Sequence, residues 1–132
     1  MRELLDPGPF GALLGIEVSE QGEGFARAVL QASDRHLNPH GVVHGGAVYA
    51  LIDQAMGAAV YTVLEPEELC ATVDVSIAYL APGRLGEIDA EVRLVRRTRR
   101  LAVLEGEARQ GDRLLAKAMG TYAIFEAQAP LG

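Results

Sequence analysis

The sequence predicts an α+β domain in which an antiparallel sheet curls around one long central helix. Three observations carry that expectation. Residues 44–64 run without proline and are apolar on nearly every side, alternating segments precede and follow them, and 132 residues suit one core rather than two ordinary ones. The order reads as two strands, one buried helix, then four strands.

Each element has its own local reason. Residues 7–15 (PGPFGALLG) read as a short helical turn after Asp6, closed by Gly15. Residues 16–21 and 25–31 alternate apolar and polar side chains, and GEG between them supplies the turn of a hairpin. Residues 32–43 are polar and broken by Pro39 and Gly41, so they form a loop. In the helix, Val48, Leu51, Ala55, Ala58 and Ala59 make one apolar side, while Tyr49, Ala50, Gly57 and Val60 share the other with Asp53. Asp53 is its one clear charge, and an almost uniformly apolar helix implies that something wraps it.

The strands follow. Residues 71–80 place Val73, Val75, Ile77 and Tyr79 on one face, with Thr72, Asp74 and Ser76 on the other. Residues 86–96 set Ile88, Ala90, Val92 and Leu94 against Asp89, Glu91 and Arg93. Residues 101–109 and 114–125 complete the sheet around a GDR turn. The domain is expected to span 1–132, with 1–9 and 126–132 peripheral.

Composition narrows the function. Twelve Lys plus Arg against eighteen Asp plus Glu give a net charge of −6, which argues against a general nucleic-acid binder. Without Trp, and with only three Phe and four Tyr, a base-stacking platform is not expected. Cys70 is alone, so no disulfide framework or thiolate metal cluster is anticipated. The N-terminus lacks the apolar run of a secretory signal, and no uninterrupted stretch reaches the ~18 apolar residues of a membrane span. The expectation is a cytoplasmic chain without membrane contact. No serine lies in GxSxG, and neither dinucleotide nor P-loop glycine motifs occur. His36, His40 and His44 lie four apart, but Pro39 and Gly41 break the segment and no carboxylate completes a ligand set, so no metal is expected.

What remains is Asn38-Pro-His-Gly-Val-Val-His44-Gly45-Gly46, running into the helix that carries Asp53. A helix N-terminus exposes unpaired N–H groups, and glycines there let a substrate reach the backbone, so the Gly45 or Gly46 amide can polarise a carbonyl. A carboxylate in an apolar wall can serve as general base or nucleophile. The competing reading makes the glycines a packing device and Asp53 a satisfied core acid, although burying a lone acid is costly. Gly45 and Asp53 are about 12 Å apart at 1.5 Å per residue along one helix, too far to act on one carbonyl. Two sites shared across a homodimer would resolve this, because helices across a perpendicular twofold run antiparallel. Arg93, Arg96, Arg97, Arg99 and Arg100 give five charges around a hairpin, either a phosphate-binding patch or a solvated tip.

The segment NPHGVVHGGAVYALIDQA, followed by TVDVSIAYLAP, resembles the N-x-x-G-x-x-H-G-G and D-x-A pattern of hotdog-fold acyl-CoA thioesterases of the phenylacetic acid degradation (PaaI-like) type. The resemblance covers roughly residues 10–125. It implies hotdog dimers commonly paired into homotetramers, an acyl-CoA substrate whose coenzyme A is no separate cofactor, and thioester hydrolysis. It assigns Asp53 as catalytic carboxylate, Gly45 as carbonyl-polarising amide beside Gly46, and His44 and Asn38 as organisers of that end. Thr72 falls where some relatives hold the attacking water. Arg96, Arg97, Thr98, Arg99 and Arg100 fall where relatives contact coenzyme A, with Tyr79 a further candidate there. Relatives often carry glycine in that turn where this chain has Thr98. The alternatives are a non-catalytic acyl-CoA binder and a hotdog hydratase or dehydratase. The acyl group, aromatic or medium-chain, is not legible.

Overall fold

The computed structural model describes residues 3–127. A short helix α1 (Gly8–Leu14) leads into the hairpin β1 (Ile16–Gly22) and β2 (Phe25–Ala32), and the long helix α2 (Gly45–Tyr61) follows. Then come β3 (Glu68–Tyr79), β4 (Gly86–Arg97), β5 (Leu101–Gln110) and β6 (Arg113–Glu126). The six strands form one antiparallel sheet in the order β1-β2-β4-β5-β6-β3. The connection through α2 therefore carries the chain from β2 to the far edge, laying the helix across the sheet's inner face.

Small residues let the sheet close on that helix. Ala26, Ala28 and Leu30 of β2, Ile88, Ala90 and Val92 of β4, and Ala102 and Leu104 of β5 are buried beside Leu51, Ile52, Ala55, Met56 and Ala59 of α2. Gly120 has no room for a side chain, since a Cβ there would lie 2.4 Å from the Met56 sulfur. The apolar character of α2 is thus explained on its sheet side. The wrapping is incomplete, however: Gly46, Tyr49, Ala50, Asp53 and Gly57 keep solvent contact and form a strip along the helix, whereas Val60 is buried.

Other differences from the expected elements have local causes. The helix ends at Tyr61, not residue 64, because the Thr62 hydroxyl donates back to the Ala59 carbonyl (2.7 Å) while accepting the Gly24 N–H (2.8 Å). β3 begins three residues early, and it contains a bulge between Thr72 and Asp74. The extra residue, Val73, is 60% exposed, and the bulge puts Thr72 on the same face as Val75, Ile77 and Tyr79 rather than opposite them. Within residues 5–9, the Pro7 carbonyl accepts from Gln54 of α2 (3.2 Å) and Leu5 packs on the core, while Asp6 and Pro9 are exposed. Glu126 is the last residue of β6, paired with Glu68, and the Ala127 N–H donates to Glu67 (2.9 Å). Residues 1–2 and 128–132 of the expected peripheral segments lie outside the described residues.

Candidate active site

The loop before α2 is built by its own polar groups. Asn38 Oδ1 accepts the N–H groups of His40 (2.9 Å) and Val42 (3.3 Å), and the Asn38 N–H donates to the Val42 carbonyl (2.8 Å). Asn38 therefore shapes the turn that aims His44. His36 is a different kind of residue from the other two histidines. It is buried, with Nδ1 accepting the Ser33 N–H (2.9 Å) and Nε2 against the Leu14 carbonyl (2.6 Å), so it ties α1 to the loop.

His44 caps the helix. Its backbone is extended, its N–H donates to the His36 carbonyl (2.8 Å), and its Nδ1 accepts the Gly46 N–H (2.8 Å). Accepting at Nδ1 leaves the proton on Nε2, so the exposed edge of the ring is a donor. Both glycines have a steric reason. A Cβ on Gly45 would stand 3.1 Å from the Tyr79 ring, and one on Gly46 3.0 Å from the His44 ring. The Tyr79 phenol donates to the Gly45 carbonyl (2.7 Å), and burial, followed by neighbouring Tyr49, raises its pKa. Tyr79, which the resemblance makes a candidate coenzyme A contact, thus stands at the helix N-terminus against Gly45. The Gly45 N–H itself has no acceptor among the described residues. An open recess of about 370 Å³, lined by Val43, Val48, Leu80, Pro82 and Leu115, adjoins it.

Asp53 lies two turns further along the strip, half-buried. Thr72 Oγ1 donates to its Oδ1 (2.9 Å), and the Tyr122 hydroxyl faces that same oxygen and the Asp53 carbonyl (2.8 Å). Thr72 and Tyr122 are cross-strand partners, and the β3 bulge follows Thr72 directly. Burial first, then the negative charge of Asp53, push the Tyr122 pKa far above its ordinary value, so the phenol stays a donor. The Cys70 thiol is raised by the same two causes in the same order and is no reactive thiolate. Sequence reasoning missed Tyr122. The signal was present in β6, where alternation puts it with Ala118 and Ile124 as the one polar side chain facing the helix.

The arginines separate into two groups. Arg97 donates from Nη2 to both Glu68 oxygens (2.8 Å each) and from Nη1 to the Val63 carbonyl, so its guanidinium is engaged within the protein. Glu68 is held below the usual carboxylate range first by the Glu65 N–H and then by Arg97. Arg93 stacks over Phe25 at 4.7 Å. Arg96, Arg99 and Arg100 are exposed and form no ion pair among the described residues. Thr98 closes the turn, its N–H donating to the Leu101 carbonyl (2.8 Å) and its Oγ1 accepting the Leu101 N–H (3.1 Å). A larger groove of about 520 Å³, between Ser76, Glu91, Arg93, Glu105 and Lys117, lies on the sheet face turned away from α2 and contains none of the Asp53 or Gly45 groups.

Comparison with known proteins brings these parts together. A family model described as thioesterase superfamily matches residues 40–117, which include His44, Gly45, Asp53, Thr72 and the arginine turn but not Asn38 or Tyr122. The structure of a conserved protein from Pseudomonas aeruginosa is 32% identical, with a TM-score of 0.87 over 92% of this chain and 96% of that one. A variant of the phenylacetic acid degradation protein PaaI from Thermus thermophilus is 29% identical, with a TM-score of 0.81 over 87% of this chain and 97% of its own. The medium/long-chain acyl-CoA thioesterase YigI of Salmonella typhimurium is 26% identical over 132 residues, 88% of this chain and 85% of that relative.

Proposed function

The chain belongs to the thioesterase superfamily, and from that premise we propose that it hydrolyses acyl-CoA thioesters, with Asp53 as general base or nucleophile and the Gly45 N–H polarising the carbonyl. The observation that carries this reading is the carboxylate of Asp53. It is oriented by two hydroxyls in an otherwise apolar strip that the protein's own sheet leaves open. A satisfied core acid would be enclosed, and this one is not.

In the general-base route, Asp53 takes a proton from water and the hydroxide adds to the thioester carbon. The Gly45 N–H receives the developing oxyanion, with help from the positive end of α2. The C–S bond then breaks, and the departing thiolate of coenzyme A takes up the proton from Asp53. In the nucleophilic route, a carboxylate oxygen adds instead, expels the thiolate and leaves an anhydride that water cleaves. Single turnover in ¹⁸O-water identifies the anhydride where water cleaves it at the Asp53 carbonyl, since only then is the first acid released unlabelled and the label left on Asp53. Asp53, the amide and water suffice for either, so no cofactor enters the proposal.

The proposed site is shared across a homodimer. Gly45 and Asp53 sit on one regular helix about 12 Å apart, so one carbonyl cannot meet both from the same chain. β3 is an edge strand of twelve residues with Leu69, Val73 and Tyr79 exposed, a length of unpaired edge that proteins ordinarily cover. A second copy paired along β3 would run the two α2 helices antiparallel. Pairing of dimers into a homotetramer is part of the same proposal, as is a cytoplasmic location. Arg96, Arg99 and Arg100 are the proposed phosphate contacts, with Thr98 holding their turn and Arg97 bracing it. The apolar recess beside Gly45 would take an aromatic or medium-chain acyl group.

Thiol release from a panel of acyl-CoAs tests the activity. Asp53→Asn is expected to lower turnover by about 10²–10⁴-fold with the fold intact. Full activity in that variant would remove Asp53 from the mechanism, and an acyl chain altered without thiol release would instead indicate a hydratase.

A further inference from the structure

We propose that Tyr122 is a positioning residue for the Asp53 carboxylate: together with Thr72 it holds Oδ1 and leaves Oδ2 as the one oxygen free to act. This inference rests on the assignment of Asp53 above. The two hydroxyls approach the same oxygen, from Thr72 at 2.9 Å and from Tyr122 on the neighbouring strand. They are direct cross-strand partners, so the β3–β6 register itself fixes their spacing. Oδ2 has no hydrogen-bond partner among the described residues, and since none of their buried side-chain oxygens lacks a partner, it is open to solvent.

Thr72 and Tyr122 are unequal supports. Thr72 is exposed on an edge strand, whereas Tyr122 is 2% exposed and its ring lies beneath α2. The Asp53 carbonyl beside the phenol is already an acceptor within the helix, so it does not require the phenol as donor. A carboxylate free to rotate about its Cβ–Cγ bond would present either oxygen at any angle. Two donors on one oxygen remove that freedom, and the reacting oxygen arrives oriented. The proposal assigns the chemistry, whether proton uptake or attack, to Oδ2.

Tyr122→Phe retains the ring and removes only the hydroxyl. Measured as thiol release from the acyl-CoA panel, its kcat should fall about tenfold while KM stays at the wild-type value and circular dichroism shows the chain folded at the assay temperature. Thr72→Val should act in the same sense and Thr72→Ser should recover activity. The double variant Tyr122→Phe/Thr72→Val should lose more than the product of the single losses, because each donor partly compensates for the other. A wild-type kcat in Tyr122→Phe, a loss confined to KM, or strictly multiplicative losses would overturn the assignment. Asp53→Asn assayed alongside distinguishes the two levels: an inactive Asp53→Asn beside a normal Tyr122→Phe rejects the positioning role alone. A fully active Asp53→Asn rejects the parent reading.

Discussion

Gly45 is a residue on which packing and chemistry coincide. Tyr79 crowds the space a side chain would need, yet the N–H on the same residue has no acceptor among the described residues. Substitution can separate the two roles. Proline is favoured at the first position of a helix and would delete the N–H, and His44 before it is already extended (φ −60, ψ 134), as a residue preceding proline must be. Gly45→Ala crowds Tyr79 similarly but keeps the N–H. Gly45→Pro is expected to lose about 10²–10³-fold in kcat beyond whatever Gly45→Ala loses, with helix content unchanged by circular dichroism. Equal losses in both would assign Gly45 to packing alone. At this scale the motif was legible because His44, Gly45, Gly46 and Asp53 lie within ten residues of one another on one element. Thr72 was reached only through resemblance, since strict alternation put it on the wrong face until the Val73 bulge turned it. Tyr122, 69 residues from Asp53, becomes its neighbour only when β6 pairs with β3.

Elements are held in place by ties that composition does not reveal. The sequence reads RLVRRTRR as five equivalent charges, but Arg97 clamps the end of β4 to the start of β3 and to the carbonyl of Val63 just past α2. Glu68 completes that clamp with its carboxyl held below the usual 4.5. A carboxylate depressed in the folded state stabilises it above the unfolded value, and that contribution is lost as pH falls through the folded value. Arg97→Leu should therefore unfold at lower urea than the wild type at neutral pH, and the gap should narrow below 4.5. An unchanged gap at about pH 3 would contradict the ion pair as its source. The helix shows the opposite limit of sequence reading. Its apolar sides predicted wrapping, and the sheet wraps most of it, but hydropathy alone could not show that the strip through Tyr49, Asp53 and Gly57 stays open.

For the whole molecule, −6 is an average over an uneven surface. Arg96, Arg99 and Arg100 are exposed at one hairpin, which is why they are the proposed phosphate contacts on a chain of net negative charge. The fold class and the order of elements along the chain were legible from alternation and one long apolar segment, whereas the order of strands within the sheet was not. The proposed second copy rests on the spacing of Gly45 and Asp53 along α2, too long for one carbonyl to span. The central claim is that each active site takes Gly45 from one chain and Asp53 from the other, and mixing two inactive variants tests it. Asp53→Asn and Gly45→Pro subunits, exchanged in equal amounts with heterodimer formation verified, should recover about one quarter of wild-type thiol release, since half the dimers are mixed and each holds one intact site. If Gly45 and Asp53 act within one chain, no mixture contains an intact site, and activity that stays at the level of the separate variants would contradict the account.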